Sequence, residues 1–453
     1  MAIRDLRELR QRVAGEVVLP VDVEWDTARL AWNLAVDQRP VAVVYPESAG
    51  DIAAAVGFAK ERGLRVAFNG GGHNAGPIDW GRDALLLKTE RMRAIEVDVA
   101  TRRARIEAGV QGKPLAMAAG EHGLAFLAGT SPDVGVVGYA LGGGLSWIVR
   151  SHGLACNSVL AADVVTADGE QRRIDAAHEP ELFWAIRGGG GNVAAVTALE
   201  LGLVPVAEIY AGALFWPIER ASEILGAWRR WVDTVPETCE SLGRMLQLPD
   251  VPFLPEPVRG RSFVLVEAAI LASDGDAAAL VQPLRDLQPE MDTLVAMPPS
   301  QLSAVNMDPD FPLPYIGDGV LLDDVTPDAI ERLVAAFAGS ALLHVEVRHL
   351  GGAAAVRSPE HGVLDAIDQP FVAFAFGLAP DAPAAEAVEH ALRDVLAAFG
   401  PCDSGRRYLN FAESRVDLRS IIPPEGYERL RRAKARYDPT GLFLANHPVP
   451  PEA

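Results

Sequence analysis

Residues 69–76 read NGGGHNAG, directly behind the apolar run RVAF. A glycine run that follows a strand exposes successive backbone N–H groups, and such groups form a nest for a pyrophosphate. The dinucleotide fingerprint requires glycine at i, i+2 and i+5. Counting from Gly70 puts Gly72 at i+2 but Ala75 at i+5, and counting from Gly71 puts His73 at i+2. The P-loop pattern fails as well. Gly112-Lys113 has Glu107 and Pro114 where glycine and Ser/Thr are needed.

Two more glycine clusters lie downstream. One is GTSPDVGVVGYALGGG, Gly129 to Gly144, and the other is RGGGGN, Arg187 to Asn192. Three such segments within the first 206 residues exceed what turns alone require. Together they indicate backbone cradles for one extended anionic ligand.

The composition narrows the partners. The 453 residues carry a formal net charge of −20, with 49% hydrophobic and 23% charged residues, as in a soluble globular protein. That acidity argues against nucleic acid and against anionic membrane surfaces. Cys156, Cys239 and Cys402 are widely separated and make no CxxC, so neither a disulfide framework nor a zinc site is expected. The N-terminal MAIRDLRELRQRVAG lacks the apolar core of a signal peptide, and no apolar run suits a membrane span. A cytoplasmic protein is expected. The nine histidines are dispersed without HExxH spacing, and G-x-S-x-G is absent, so no metal and no serine-hydrolase chemistry is expected.

Short strands and helices alternate over residues 1–206. Val41 to Pro46 is apolar throughout, as in a strand buried on both faces. Ser48 with Asp51 caps an Ala-rich helix running to Arg62. AIEVDV with ARIEAGV, and VLAADVV with EQRRI, read as hairpins. From about Ile209 long strands such as RSFVLVEAAILA and LLHVEVRHL alternate with helices such as PDAIERLVAAFAG. This predicts an antiparallel sheet backed by helices. The last fifty residues read as an extended tail that packs back onto the rest.

VAVVYP, NGGGH, SPDVGVVGYALGGG, ELFWAIRGGGGN, RRYLNF and YDPTGLF occur in an order and spacing that resemble the FAD-linked oxidases of the vanillyl-alcohol-oxidase superfamily. More narrowly they resemble its berberine-bridge-enzyme-like group. The resemblance implies an α+β fold with a PCMH-type FAD-binding domain of two α+β subdomains over residues 1–206, its core at about 38–206. A substrate domain over 207–400 and a C-terminal segment 401–453 returning to the FAD domain complete it. It implies covalent FAD with the bond at His73, and flavin contacts from Asn69, Gly70, Gly71, Gly72, Asn74, Ser131, Val134, Gly135, Gly138, Gly142, Val196 and Asn410. The group's second attachment point is a cysteine in G-x-C-P-x-V-G, where this chain has Ser131. A hydroxyl is a far poorer nucleophile than a thiolate, so a single link is expected. Val134 stands where a small residue admits O₂ to the flavin, which favours an oxidase. The chain departs from the group at Lys88-Thr89-Glu90 and at Asn192-Val193-Ala194.

Alternation along LLHVEVRHL puts His344, Glu346 and Arg348 on one strand face and His349 on the other. The resemblance lays this strand over the flavin's reactive face. Glu346 is the first candidate for the proton-handling group, Arg348 its neighbour, and a solvated Glu–Arg pair the plain alternative. Tyr408 matches the group's Tyr-x-Asn with Asn410, and is expected to orient or deprotonate substrate. Tyr315 is a candidate pocket wall. The expected function is hydride removal from a small organic alcohol or amine, with O₂ reduced to hydrogen peroxide. Oxidative cyclisation in secondary metabolism and a non-catalytic flavin-binding protein stand as alternatives. The expected partners are the small-molecule substrate and O₂, with the protein a monomer or homodimer.

Overall fold

Ala42–Tyr45, the apolar run expected between two layers, lies inside a five-stranded sheet. It pairs antiparallel with Glu16–Val18 and parallel with Ala84–Lys88. Arg65–Asn69 follows, and Phe443–Leu444 adds in parallel at the edge. The computed structural model describes residues 6–81, 83–252 and 256–452, and its fold is α+β. The helix Ala49–Arg62 begins where Ser48 accepts a hydrogen bond from the Asp51 amide and ends at Gly63 in left-handed backbone.

A second five-stranded sheet is antiparallel throughout. Its order is Ile95–Asp98, Arg103–Glu107, Ala195–Gly202, Val159–Val165 and Gln171–Asp175. Both expected hairpins are in it, the first pair and the last.

The third sheet has eight strands drawn from residues 209–378. Its central strands are Ser262–Ile270, Cys239–Gln247, His344–His349 and Phe371–Leu378, all antiparallel. One face packs against Ala221–Val232, Pro327–Phe337 and Ala382–Ala398, in a core that holds Trp216, Trp228, Phe337 and Phe399. Strand alternation assigns Val345, Val347, Ala373 and Ala375 to that core. It sends His344, Glu346, Arg348, Phe374 and Phe376 the other way, into a cavity.

The tail differs from expectation. Instead of an extended run, Pro424–Tyr437 forms a helix with buried Tyr427, Leu430, Ala433, Lys434 and Tyr437. Arg429 pairs with Glu181 at 2.7 Å and lies 4.0 Å over the Trp184 ring, which docks the tail on the helix Pro180–Ile186. Buried Lys434 donates to the Asn192 carbonyl at 2.7 Å and to Asp438 at 2.5 Å. Asn192 in turn donates to the carbonyls of Gly189 and His447 and accepts from the Val449 amide. The third glycine cluster is thus held by the C-terminal segment. Among the described residues no helix is long and apolar enough to cross a membrane.

Candidate active site

The third sheet's free face and the three glycine loops enclose one cavity of about 340 Å³. The first loop contributes Asn69 through Asn74, and the second Gly129 through Ser131 with Val134, Gly135, Gly138 and Gly142. Gly189, Gly190 and Asn192 come from the third, and Tyr408 and Asn410 from the C-terminal segment. The cavity wall therefore holds every expected site residue except one. Val196 is buried among Val164, Leu199 and their neighbours in the second sheet and does not line the cavity. Its side chain lies in the second sheet's own core.

Local backbone explains the loop shapes. Gly72 has φ +91°, and a Cβ there would lie 2.6 Å from Asn69 Nδ2 and 3.1 Å from the Trp32 amide nitrogen. At Gly142 a Cβ would stand 1.5 Å from Asn410 Oδ1, so Asn410 sits directly on that glycine. The Asn410 side-chain amide donates to the Tyr139 carbonyl at 2.9 Å. Asn410 lies in a short 3₁₀ turn, Leu409–Phe411, so it reaches the cavity by turn geometry rather than strand alternation.

His73 closes the first loop. Its ring stacks on Trp32 with centroids 4.1 Å apart and planes 18° from parallel. Its Nε2 is 3.2 Å from Asp133 Oδ1, off the line a hydrogen bond needs. Trp32 Nε1 donates to the other oxygen of Asp133. The Tyr315 hydroxyl donates to the His73 carbonyl at 2.8 Å and makes a 3.0 Å hydrogen bond with Glu413. Burial pushes the Glu413 carboxyl up to about 8.

The facing wall is charged. Arg348 grips one oxygen of Glu346, at 2.7 Å from Nε and 2.6 Å from a terminal nitrogen. Glu346 Oε2 has no hydrogen-bond partner among the described residues and lies 4.0 Å from His344 Nε2. Burial opposes the charge on Glu346, yet Arg348, His344 and Arg244 hold its carboxyl below the usual range. Burial pushes His344 down to about 3, so its imidazole is neutral at pH 7. A free carboxylate oxygen beside a neutral imidazole can accept a proton and bind a cationic or hydrogen-bonding substrate group.

A second polar ladder ties this wall to the glycine loops. Buried Arg244 pairs with Glu267 at 2.5 Å and bonds both the side chain and the carbonyl of Asn306. Asn306 donates to Asp308 at 2.7 Å, and the Ser131 hydroxyl donates to the other Asp308 oxygen. Arg348 also reaches Thr130 at 3.3 Å. Ser131, expected to take the place of a linking thiol, is thereby occupied as a hydrogen-bond donor. Trp32, Asn306, Asp308 and Glu413 are not legible as site residues, because none sits in a motif and each arrives through a long-range contact; Asp133 lies within SPDVG, but its meeting with His73 and Trp32 is equally long-range.

Tyr408 is almost fully buried, with its ring 5.3 Å from Phe411. Its hydroxyl lies near the amides of Gly144 and Leu145 without a well-aligned hydrogen bond. Burial raises the phenol far above its ordinary value, so it stays protonated. The deprotonating role expected of Tyr408 does not suit this placement, whereas a hydrogen-bond donor does. His349 faces away and packs on Phe371, as alternation requires.

Residues 40–175 match the family described as FAD binding domain, and residues 425–450 match that described as berberine and berberine like. The chain thus carries an FAD-binding segment and a berberine-like C-terminal segment in one fold. It is 34% identical to (R)-6-hydroxynicotine oxidase of Paenarthrobacter nicotinovorans over 231 residues, 51% of this chain and 50% of that protein. The chain spans about half the length of the curated relatives it matches. Among solved structures, berberine-like protein 1 of Physcomitrella patens superposes with a TM-score of 0.86 at 20% identity, over 99% of each chain. A glucooligosaccharide oxidase of Acremonium strictum, described as carrying 6-S-cysteinyl, 8α-N1-histidyl FAD, superposes with a TM-score of 0.82 at 23% identity. That overlap covers 98% of this chain and 99% of that one.

The residues present suit a flavin dinucleotide. Asn69 Nδ2, Asn74 Oδ1, His73 Nε2 and Tyr408 OH line the cavity as buried polar atoms without hydrogen bonds. A Cβ at Gly138 would meet nothing within 4 Å, which leaves space beside the helix Val136–Leu141 for a ligand.

Proposed function

We propose that this berberine-bridge-like chain is an oxidase that removes a hydride from a small organic alcohol or amine and passes the electrons to O₂. The observation that carries the reading is the cavity with glycine backbone on one wall and the unpaired Glu346 oxygen on the other. FAD bound there supplies two-electron acceptance and transfer to O₂.

The protein's own residues would do the rest. Glu346 Oε2 takes the proton from the substrate O–H or N–H, and Arg348 holds that carboxylate charged and oriented. His344, neutral, offers a second polar contact at the same position. Phe374 and Phe376 give the pocket an apolar side that excludes water. Asn69 through Asn74, Gly135, Gly138, Gly142 and Asn410 would hold the dinucleotide. His73 would bond it covalently, and Ser131, engaged by Asp308, would form no second bond.

Two measurements test this together. Acid-precipitated wild-type protein is expected to keep its yellow colour in the pellet, and His73→Ala to release all of it to the supernatant. Flavin reduced without air is expected to reoxidise within seconds on admitting oxygen, with one peroxide formed per flavin, since the small Val134 stands at the position from which O₂ access is expected. Reoxidation over minutes would remove the oxidase assignment, and a colourless wild-type pellet would remove the covalent bond.

A further inference from the structure

We propose that Asp133 is the positioning residue that readies His73 for bonding to the flavin, by taking up the Nε2 proton while Nδ1 forms the bond. The inference rests on the covalent attachment proposed above.

Two contacts converge on one carboxylate, and a third holds its backbone. Asp133 Oδ1 stands 3.2 Å from His73 Nε2. Asp133 Oδ2 is held by Trp32 Nε1. The Asp133 backbone is itself pinned, since Gln111 Nε2 donates to its carbonyl at 2.8 Å. Trp32 also stacks on the His73 ring, so one side chain fixes both the carboxylate and the imidazole plane. Asp133 and His73 are both largely enclosed, with side chains 14% and 19% exposed. A carboxylate in this position selects the tautomer with the proton on Nε2, because the opposite tautomer would set two lone pairs against each other. Nδ1 then carries the free lone pair, and no hydrogen bond occupies it among the described residues. Oδ1 has no hydrogen-bond partner among the described residues, so it is free to receive the proton.

The step balances as follows. Nδ1 bonds to the flavin 8-methyl carbon, which loses one hydrogen as a proton, and the Nε2 proton passes to Asp133. The two electrons of the broken C–H bond end on the flavin ring, reducing it with two protons. Dioxygen then takes those two electrons and two protons as hydrogen peroxide. Net, one imidazole, one oxidised flavin and one O₂ give the linked oxidised flavin and one H₂O₂. A positioned base contributes roughly 10²–10⁴-fold to such a proton transfer.

The test follows bond formation itself. Purified wild type, Asp133→Asn and Asp133→Glu are incubated with excess FAD in air, quenched in acid, and the flavin-bearing fraction is read by intact mass over time. Non-covalent FAD is measured in parallel by filtration under native conditions. Asp133→Asn is expected to retain FAD non-covalently and to link it about 100-fold more slowly. Asp133→Glu, which keeps the carboxylate, is expected to recover most of the rate. Linking by Asp133→Asn within threefold of wild type overturns the proposal. Trp32→Phe keeps the stacked ring but frees Asp133 Oδ2, and is expected to slow linking severalfold. If Asp133→Asn fails to fold, an unchanged rate in Trp32→Phe overturns the proposal in its place. Wild-type protein that never gains the flavin's mass would instead strike down the covalent attachment at His73.

Discussion

Glu346→Gln is expected to lower kcat by about 10²- to 10³-fold while the flavin stays bound, because a positioned general base supplies gains of that order. In transition-state terms this is about 3–4 kcal/mol. The amide keeps the shape of the carboxylate and one oxygen for Arg348, but it cannot accept a proton. The readout that separates chemistry from damage is the rate of flavin bleaching under anaerobic substrate, set beside the thermal midpoint. Arg348 becomes a buried cation without its counterion, and breaking a buried pair costs of order 3–5 kcal/mol, so some loss of stability accompanies the change. A companion variant, Arg348→Gln, tests the ion pair from the other side. Burial raises the Glu346 carboxyl and Arg348 is the foremost group lowering it. Removing the guanidinium therefore raises that pKa, and the carboxylate form required for turnover exists only above a higher pH. The acid limb of kcat/KM is expected to move to higher pH. A limb that stays in place would mean that Glu346 is not the group titrating in catalysis.

How much of this site is legible in the chain depends on the period of each segment. The strand His344–His349 reads correctly because a period of two assigns faces without knowledge of any neighbour. Its alternation places Glu346 and Arg348 in the cavity and Val345 and Val347 in the helix-backed core. The glycine loops are legible for a similar local reason, since only bare backbone tolerates the approach of Asn410 to Gly142. The tail is different. Arg429, Arg431, Arg432, Lys434 and Arg436 crowd Pro424–Tyr437 and obscure its apolar stripe. The helix forms because Leu430 and Tyr437 pack into the second sheet's core, and because Lys434 finds Asp438 and Asn192. Those partners are tertiary, so no local pattern announces them. Likewise Trp32 meets His73 only once the first sheet has formed, and Asp308 meets Ser131 only across the cavity. Val196 lies in a strand with buried side chains on both faces, where alternation gives no direction to choose.

Gly138→Val is expected to yield folded protein that purifies without flavin and without oxidase activity. A Cβ at this position meets nothing within 4 Å, so the added side chain starts into open space. Gly138 sits inside the short helix Val136–Leu141, where valine is no worse a helix former than glycine. The thermal midpoint of the apoprotein should therefore hold or rise slightly. The volume filled belongs to the cavity that the three loops line, so the loss falls on the ligand alone. Gly142→Ala supplies the contrast, because its Cβ would overlap Asn410 Oδ1 at 1.5 Å and must displace the Asn410 side chain and its hydrogen bond to Tyr139. Both variants are expected to lose yellow colour, but only Gly142→Ala is expected to lose stability as well. Flavin content and thermal midpoint, measured on the two proteins side by side, separate a blocked cradle from a broken one. A Gly138→Val protein that retains stoichiometric FAD would show that the flavin does not lie against this helix, and the wall assigned to the dinucleotide would have to be sought at the first and third loops alone.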